Sequence, residues 1–214
     1  MNDDLNASPI AKPAAQAGTT GAAPPLDEFA EALITTRQNT SAKRLVAPGP
    51  DAAQIDRLFV AAATAPDHGL QTPWRFIVIP SEKRMLLGEV FAAALAARDP
   101  QATAEEIDAA RGKAMRAPLL IAVVARLGPC DPHIPPLERM VSVGCAIPNI
   151  LLTAHSMGFG SGLASGRAMA SQGMRELFKL QPGEETVCFI NVGTISKPKA
   201  LRIRPAPAQF VTSL

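Results

Sequence analysis

Residues 119–125 read LLIAVVA, an unbroken apolar run with the length and composition of a strand buried in a core. Two more runs share that character, WRFIVI at 74–79 and VCFINV at 187–192. Both are rich in β-branched and aromatic side chains, which pack well on a pleated, buried surface. The segments between them carry helical signals. Three buried strands separated by helices predict an α/β or α+β fold, a sheet sandwiched by helices.

Start and stop signals place the helices. Asp51, followed three residues later by Gln54, predicts a capped helix whose apolar face includes Ile55, Leu58, Phe59 and Ala62. A helical stretch begins at Ser81 and runs through Leu95, and Thr103 with Glu106 predicts another that ends near Met115. Residues 141–156 predict a long, almost wholly apolar helix, kinked at Pro148 unless local packing compensates. Residues 170–178 predict a short helix, and 210–214 a short edge strand. At the other end, Phe29, Leu33 and Ile34 have helical spacing behind Asp27, a plausible N-cap. Residues 36–50 are polar and basic and end in APGP, which predicts a loop or extended arm. Residues 1–25 hold hardly a large apolar side chain. They cannot bury enough surface to offset ordering entropy and predict a disordered Ala/Pro-rich tail, leaving 26–214 as one domain.

Composition excludes several functions. The net charge of +2 is small and the Lys and Arg residues are dispersed, which argues against nucleic acid as a partner. Tyr is absent and aromatics are few, so no base-stacking platform is evident. The three cysteines, Cys130, Cys145 and Cys188, form no CxxC pair; Cys145 and Cys188 lie in apolar runs and predict buried, reduced thiols. The acidic start is followed by no hydrophobic segment, and the longest apolar run is interrupted by polar residues. The expectation is a cytoplasmic protein with no membrane partner.

Three segments carry candidate chemistry. In APDHGLQTPWRFIVI, Pro66 and Gly69 end the preceding helix, so His68 and Gln71 fall on a short loop before a core strand. Taken alone, that loop is first read as a plain helix–strand connection. The basic arm at 36–44 offers Arg37, Gln38 and Asn39, groups able to grip a phosphate or a heterocycle edge, or simply to face solvent. Residues 158–166 hold four glycines, which permit close backbone approach to a ligand, but follow a helix with the wrong spacing for GxGxxG. A glycine-rich turn is the alternative. His68, His133 and His155 have no zinc-binding spacing and no GxSxG elbow occurs, so no metal site or hydrolase is predicted.

Taken in order, these segments resemble the FMN-dependent nitroreductase family, and most closely its small single-domain branch of NAD(P)H nitroreductases. The resemblance rests on Thr36-Arg37-Gln38-Asn39, Pro66-Asp67-His68-Gly69, Pro73-Trp74-Arg75-Phe76-Ile77-Val78, Gly158-Phe159-Gly160, Ser165-Gly166, Val192-Gly193-Thr194 and Phe210-Val211-Thr212. It implies an α+β, nitroreductase-like fold, a central mostly antiparallel sheet flanked by helices, assembled as a homodimer with flavin at the interface. By the same resemblance, Arg37, Gln38 and Asn39 hold the FMN phosphate and ribityl chain. Thr64, His68, Leu163, Ala164 and Ser165 contact the flavin. Thr153, Ala154, His155, Ser156, Met157 and Gly158 receive the nicotinamide nucleotide, and Lys197 or Lys199 adds a phosphate charge. The implied reaction is ping-pong. NAD(P)H reduces FMN, and a flat electron-poor acceptor such as a nitroaromatic or quinone reoxidises it, with no side chain acting as an acid–base catalyst.

Two departures stand out. Gln38 replaces the second arginine of the family's arm, and Leu163-Ala164 replaces its Trp-Arg pair. One lost charge-assisted contact is worth about 1.5–3 kcal/mol. The alternative reading is therefore a degenerate flavin- or ligand-binding protein without reductase turnover. A different flavin reaction on the same fold, such as dehydrogenation of an activated C–C bond, is a further alternative.

Overall fold

The computed structural model describes residues 25–128, 133–200 and 202–214. The tail expected at 1–25 lies outside the described residues except for Pro25, and Cys130 lies outside them too.

Five strands form one sheet: β1 (Leu45–Val46), β2 (Trp74–Val78), β3 (Leu119–Arg126), β4 (Gly160–Ala164) and β5 (Glu184–Ile195). The order is β1-β5-β3-β2, with β4 also paired to β5. Every ladder is antiparallel, which makes the fold α+β. Among the described residues six α-helices flank it: α1 (Leu26–Thr36), α2 (Ala52–Ala62), α3 (Arg84–Arg98), α4 (Ala104–Arg111), α5 (Pro136–Ser156) and α6 (Gln172–Leu177).

Period-two alternation gives the sheet two different cores. Ile121, Val123, Ile190 and Val192 point to one face and pack with Leu58 of α2 and Val143, Ile147 and Ile150 of α5. Leu120, Ala122 and Phe189 point to the other and pack with Leu87 of α3, Met174 of α6 and Phe178. At one end of the sheet Glu184 accepts from Arg75 at 2.6 Å and from Arg126 at 3.4 Å. Burial pushes the Glu184 carboxyl up, but Arg75, the Gln181 N–H and Arg126 together hold it below the usual glutamate value.

Local signals are realised closely. Asp51 with Gln54 and Thr103 with Glu106 form complete capping boxes. Several expectations are corrected. Pro25, not Asp27, occupies the N-cap of α1, and Asp27 sits in the first turn. The stretch opening at Ser81 begins with a 3-10 turn before α3. Helix α5 starts at Pro136 rather than 141 and runs on through Pro148. Proline suits the first helical position, and buried Arg139 reaches the carbonyls of Leu127 and Gly128. By length and composition α5 is able to cross a membrane, yet eight of its residues are buried in this fold. The glycine-rich segment is strand β4 rather than a turn, and the arm contributes β1. Residues 210–214 form no strand and lie exposed. Cys188 is buried, which pushes its thiol up to about 11, whereas Cys145 is half-buried.

Candidate functional site

The basic arm and strand β4 lie side by side although Asn39 and Leu163 are 124 residues apart in the chain. The Thr40 N–H donates to the Ser161 carbonyl at 2.8 Å, and the Leu163 N–H donates to Asn39 Oδ1 at 2.9 Å. Asn39 also forms an isolated parallel bridge with Ser161. Gly162 permits this approach: a Cβ there would lie 2.1 Å from the Thr40 carbonyl oxygen.

One end of this seam is a basic pocket of about 110 Å³. Arg37, Arg44, Lys197 and Lys199 line it, and among the described residues no carboxylate does. None of the four makes an ion pair among the described residues. Ser161 lines it as well, only 2% exposed, with its hydroxyl unpartnered. A buried hydroxyl beside four cations is a donor set suited to a phosphate group, which brings both negative charge and acceptor oxygens.

The other end opens into a larger cavity of about 390 Å³. Ala164 and Ser165 form part of its wall, Phe91, Leu95, Leu120 and Phe189 its apolar lining, and the buried Asn191 amide adds a polar group. Asn191 Nδ2 donates to the Gly162 carbonyl at 3.4 Å. Phe91 and Phe189 meet edge to face at 5.7 Å. Strand β4 thus leads from Ser161 in the basic pocket to Ala164 in the larger cavity, about 10 Å along an extended chain.

The remaining site candidates do not all gather here. Gln38 lines the basic pocket but donates its amide to the Lys199 carbonyl at 3.5 Å, so it holds the C-terminal segment. His155 reaches the pocket and shares a 2.8 Å hydrogen bond with Thr36 Oγ1. Its neighbours serve the end of α5. Ala154 is fully buried in the core, the Thr153 carbonyl accepts from Ser156 Oγ and the Met157 N–H, and Gly158 turns out of the helix at φ +84°. A helix C-terminus carries partial negative charge, which works against a phosphate. Thr64 lies farther along α5, accepting from Asn149 at 3.1 Å. His68 is farther still, 2.6 Å from Glu138 near the other end of the helix. Glu138 and His155 are about 25 Å apart along α5, so His68 lies far from the basic pocket of its own chain. The His68 loop instead projects outward, with Leu70 87% exposed and in a left-handed conformation.

Sequence reasoning missed Arg44 and Ser161. Arg44 lies within the basic arm, where charge alone marked it; Ser161 lies in the glycine-rich segment but carried no signal of its own, because the pairing of Asn39 and Thr40 with β4 is what places it beside the cations.

Residues 37–194 match the nitroreductase family. The chain belongs to that family. It is accordingly an oxidoreductase by class. It is 36% identical over 162 residues to a Haemophilus influenzae protein provisionally named an NAD(P)H nitroreductase, covering 76% of this chain and 86% of that one. Escherichia coli K12 YdjA, named in the same provisional way, is 36% identical over 187 residues, 85% of this chain and 97% of its own. Among solved structures, a nitroreductase-like family protein from Bacillus cereus superposes with a TM-score of 0.73 at 21% identity, covering 92% of this chain and 99% of that one. A mutant of the FMN- and NADPH-dependent nitroreductase NfnB from a Sphigopyxis strain gives 0.67 at 16%, over 86% and 98%. At these identities the structures show a shared fold.

Proposed function

We propose that this nitroreductase-family chain is an FMN-dependent NAD(P)H oxidoreductase that reduces flat, electron-poor acceptors such as nitroaromatics and quinones, in alternating half-reactions, in the cytoplasm. One observation carries the reading: strand β4 joins a phosphate-sized basic pocket to a larger, mainly apolar cavity. When bound, FMN supplies two-electron redox chemistry between a nicotinamide donor and an acceptor.

The chain's own residues then divide the work. Arg37, Arg44, Lys197 and Lys199 neutralise the phosphate, and the Ser161 hydroxyl donates to it. Asn39 keeps the arm on β4 through the Leu163 N–H, and Gln38 fixes the Lys199 backbone. Leu163, Ala164 and Ser165 border the ring system. Of residues 153–158 only His155 faces the basic pocket; the others shape the end of α5 beside the nucleotide site. Among the described residues no carboxylate or imidazole lines the larger cavity, which supports solvent as the source of the proton that completes reduction.

The active form in this reading is a homodimer. Phe29 and Ile34 of α1 are exposed in the single chain, 51% and 59%, despite their helical apolar spacing. The remoteness of the His68 loop, with Thr64 behind it, from its own chain's pocket supports a role for it at a partner's flavin. The second reading, flavin binding without turnover, draws on Gln38, which gives its amide to the backbone, and on Ala164, which adds no cation. An anaerobic absorbance titration separates the two. Stoichiometric FMN uptake followed by bleaching with NADPH or NADH supports the reductase. Uptake without bleaching supports the second reading, and no uptake contradicts both.

A further inference from the structure

The larger cavity has a rim that its apolar lining does not explain. Arg98, Lys113, Arg116 and Arg167 all line it, drawn from three separate stretches of chain, and among the described residues no carboxylate does. None of the four forms an ion pair among the described residues. Nearby Arg111 shows the contrast, because it is engaged by Glu89 and Asp108. Arg116 is also held in place. Buried Arg84 donates to the carbonyls of Arg116 at 3.2 Å, Ala117 at 2.5 Å and Pro118 at 2.7 Å. Like charges around one mouth repel one another, and this repulsion is relieved when an anion enters.

We propose that the cavity selects an anionic acceptor: a flat aromatic body against Phe91, Leu95 and Phe189, carrying a carboxylate or similar anion met by Arg98, Lys113, Arg116 and Arg167. This rests on the reductase reading above and adds the substrate class. Apolar contact supplies affinity for the ring, and the cations discriminate between charged and neutral acceptors of equal shape. Ala164 contributes to the same selection. It stands where the family's pattern has an arginine, so the anion is met at the rim rather than beside β4.

The test compares para-nitrobenzoate with para-nitrobenzamide, which share a ring and nitro group and differ by one negative charge at neutral pH. Binding to the FMN-treated protein is measured by equilibrium dialysis, and reduction with NADPH and NADH is measured separately. We expect the acid to bind about tenfold or more tightly than the amide, from several partly exposed charge contacts acting together. Raising salt from about 20 mM to about 0.5 M should erase most of that ratio, because the Debye length then falls well below the span of the mouth. Lys113→Gln and Arg167→Gln alter exposed side chains, so each tests charge without opening a core, and each should lower the ratio.

Equal binding of acid and amide overturns the anion preference, and if both are still reduced the reductase reading stands. Variants that weaken NADPH affinity or shift the flavin potential, while leaving the acid-to-amide ratio unchanged, also overturn it, since the cations then serve donor or cofactor. A protein that takes up no FMN contradicts the reductase reading, and the dialysis ratio still decides whether the cavity prefers anions.

Discussion

The two faces of the sheet are built from the same alternating strands and end up with opposite properties. Toward α2 and α5 the sheet is covered by a continuous apolar core. Toward α3 and α6 a smaller core fills only part of the face, and beyond Phe189 and Leu120 the space opens into the cavity. Helix α5, together with α2, packs on the first face. Shorter helices cover the second, and its rim is made of charged residues that cannot be buried unpaired. Both faces carry a buried core, and only the second also opens into a cavity.

The largest expected effect lies on the filled face. Ile150→Ala removes a fully buried side chain and should cost about 2–5 kcal/mol in urea unfolding. Leu95→Ala, at the half-buried cavity wall, should cost less than about 1.5 kcal/mol. Equal costs would break the contrast between the faces.

Legibility in the sequence follows the range of the interaction. The capping boxes at Asp51 and Thr103 were readable because donor and acceptor sit three residues apart. Strands β2, β3 and β5 were readable because burial shows in their composition. Strand β4 was not, since Gly160-Ser161-Gly162 has little β propensity of its own and is a strand only through pairing with β5. The reverse error at 210–214 has the same cause, for apolar residues without a strand partner form no ladder. At the site, the arm's charge was legible, but its union with Ser161, Lys197 and Lys199 depends on contacts across more than a hundred residues. The separation of His68 from that pocket was hidden for the same reason.

Arg84→Met probes the wall of the hollow face. It leaves the carbonyls of Ala117 and Pro118 without their charged donor, and Ala117 already holds a left-handed φ of +61°. Unfolding should show a loss of about 2–3 kcal/mol, with weaker acceptor binding because Arg116 loses its support. Gly162→Ala acts on the seam between the pockets. Its Cβ cannot share space with the Thr40 carbonyl, so the arm must move from β4, at a cost of about 1–3 kcal/mol and with loss of FMN uptake. Unchanged FMN affinity in that variant would show that the seam is not needed for binding.

The smallest effect is pH-dependent and belongs to the ordered end of the sheet. Glu184 has a lowered pKa in the folded chain, so the unfolded chain takes up its proton at higher pH. Its contribution to stability is complete above the usual glutamate value of 4.5 and is lost as pH falls through the lowered folded value. Glu184→Gln should flatten the acid limb of a stability–pH curve recorded by urea unfolding.

The most direct test of the two-pocket account is a comparison of FMN with riboflavin, which has the same ring and ribityl chain but no phosphate. Flavin fluorescence quenching on titration with protein would give both affinities. If the cations around Ser161 hold the phosphate, FMN should bind about a hundredfold or more tightly than riboflavin, the difference shrinking in Lys197→Gln and Arg44→Gln. Equal affinities would mean that the basic pocket plays no part in holding the flavin, and would contradict the account.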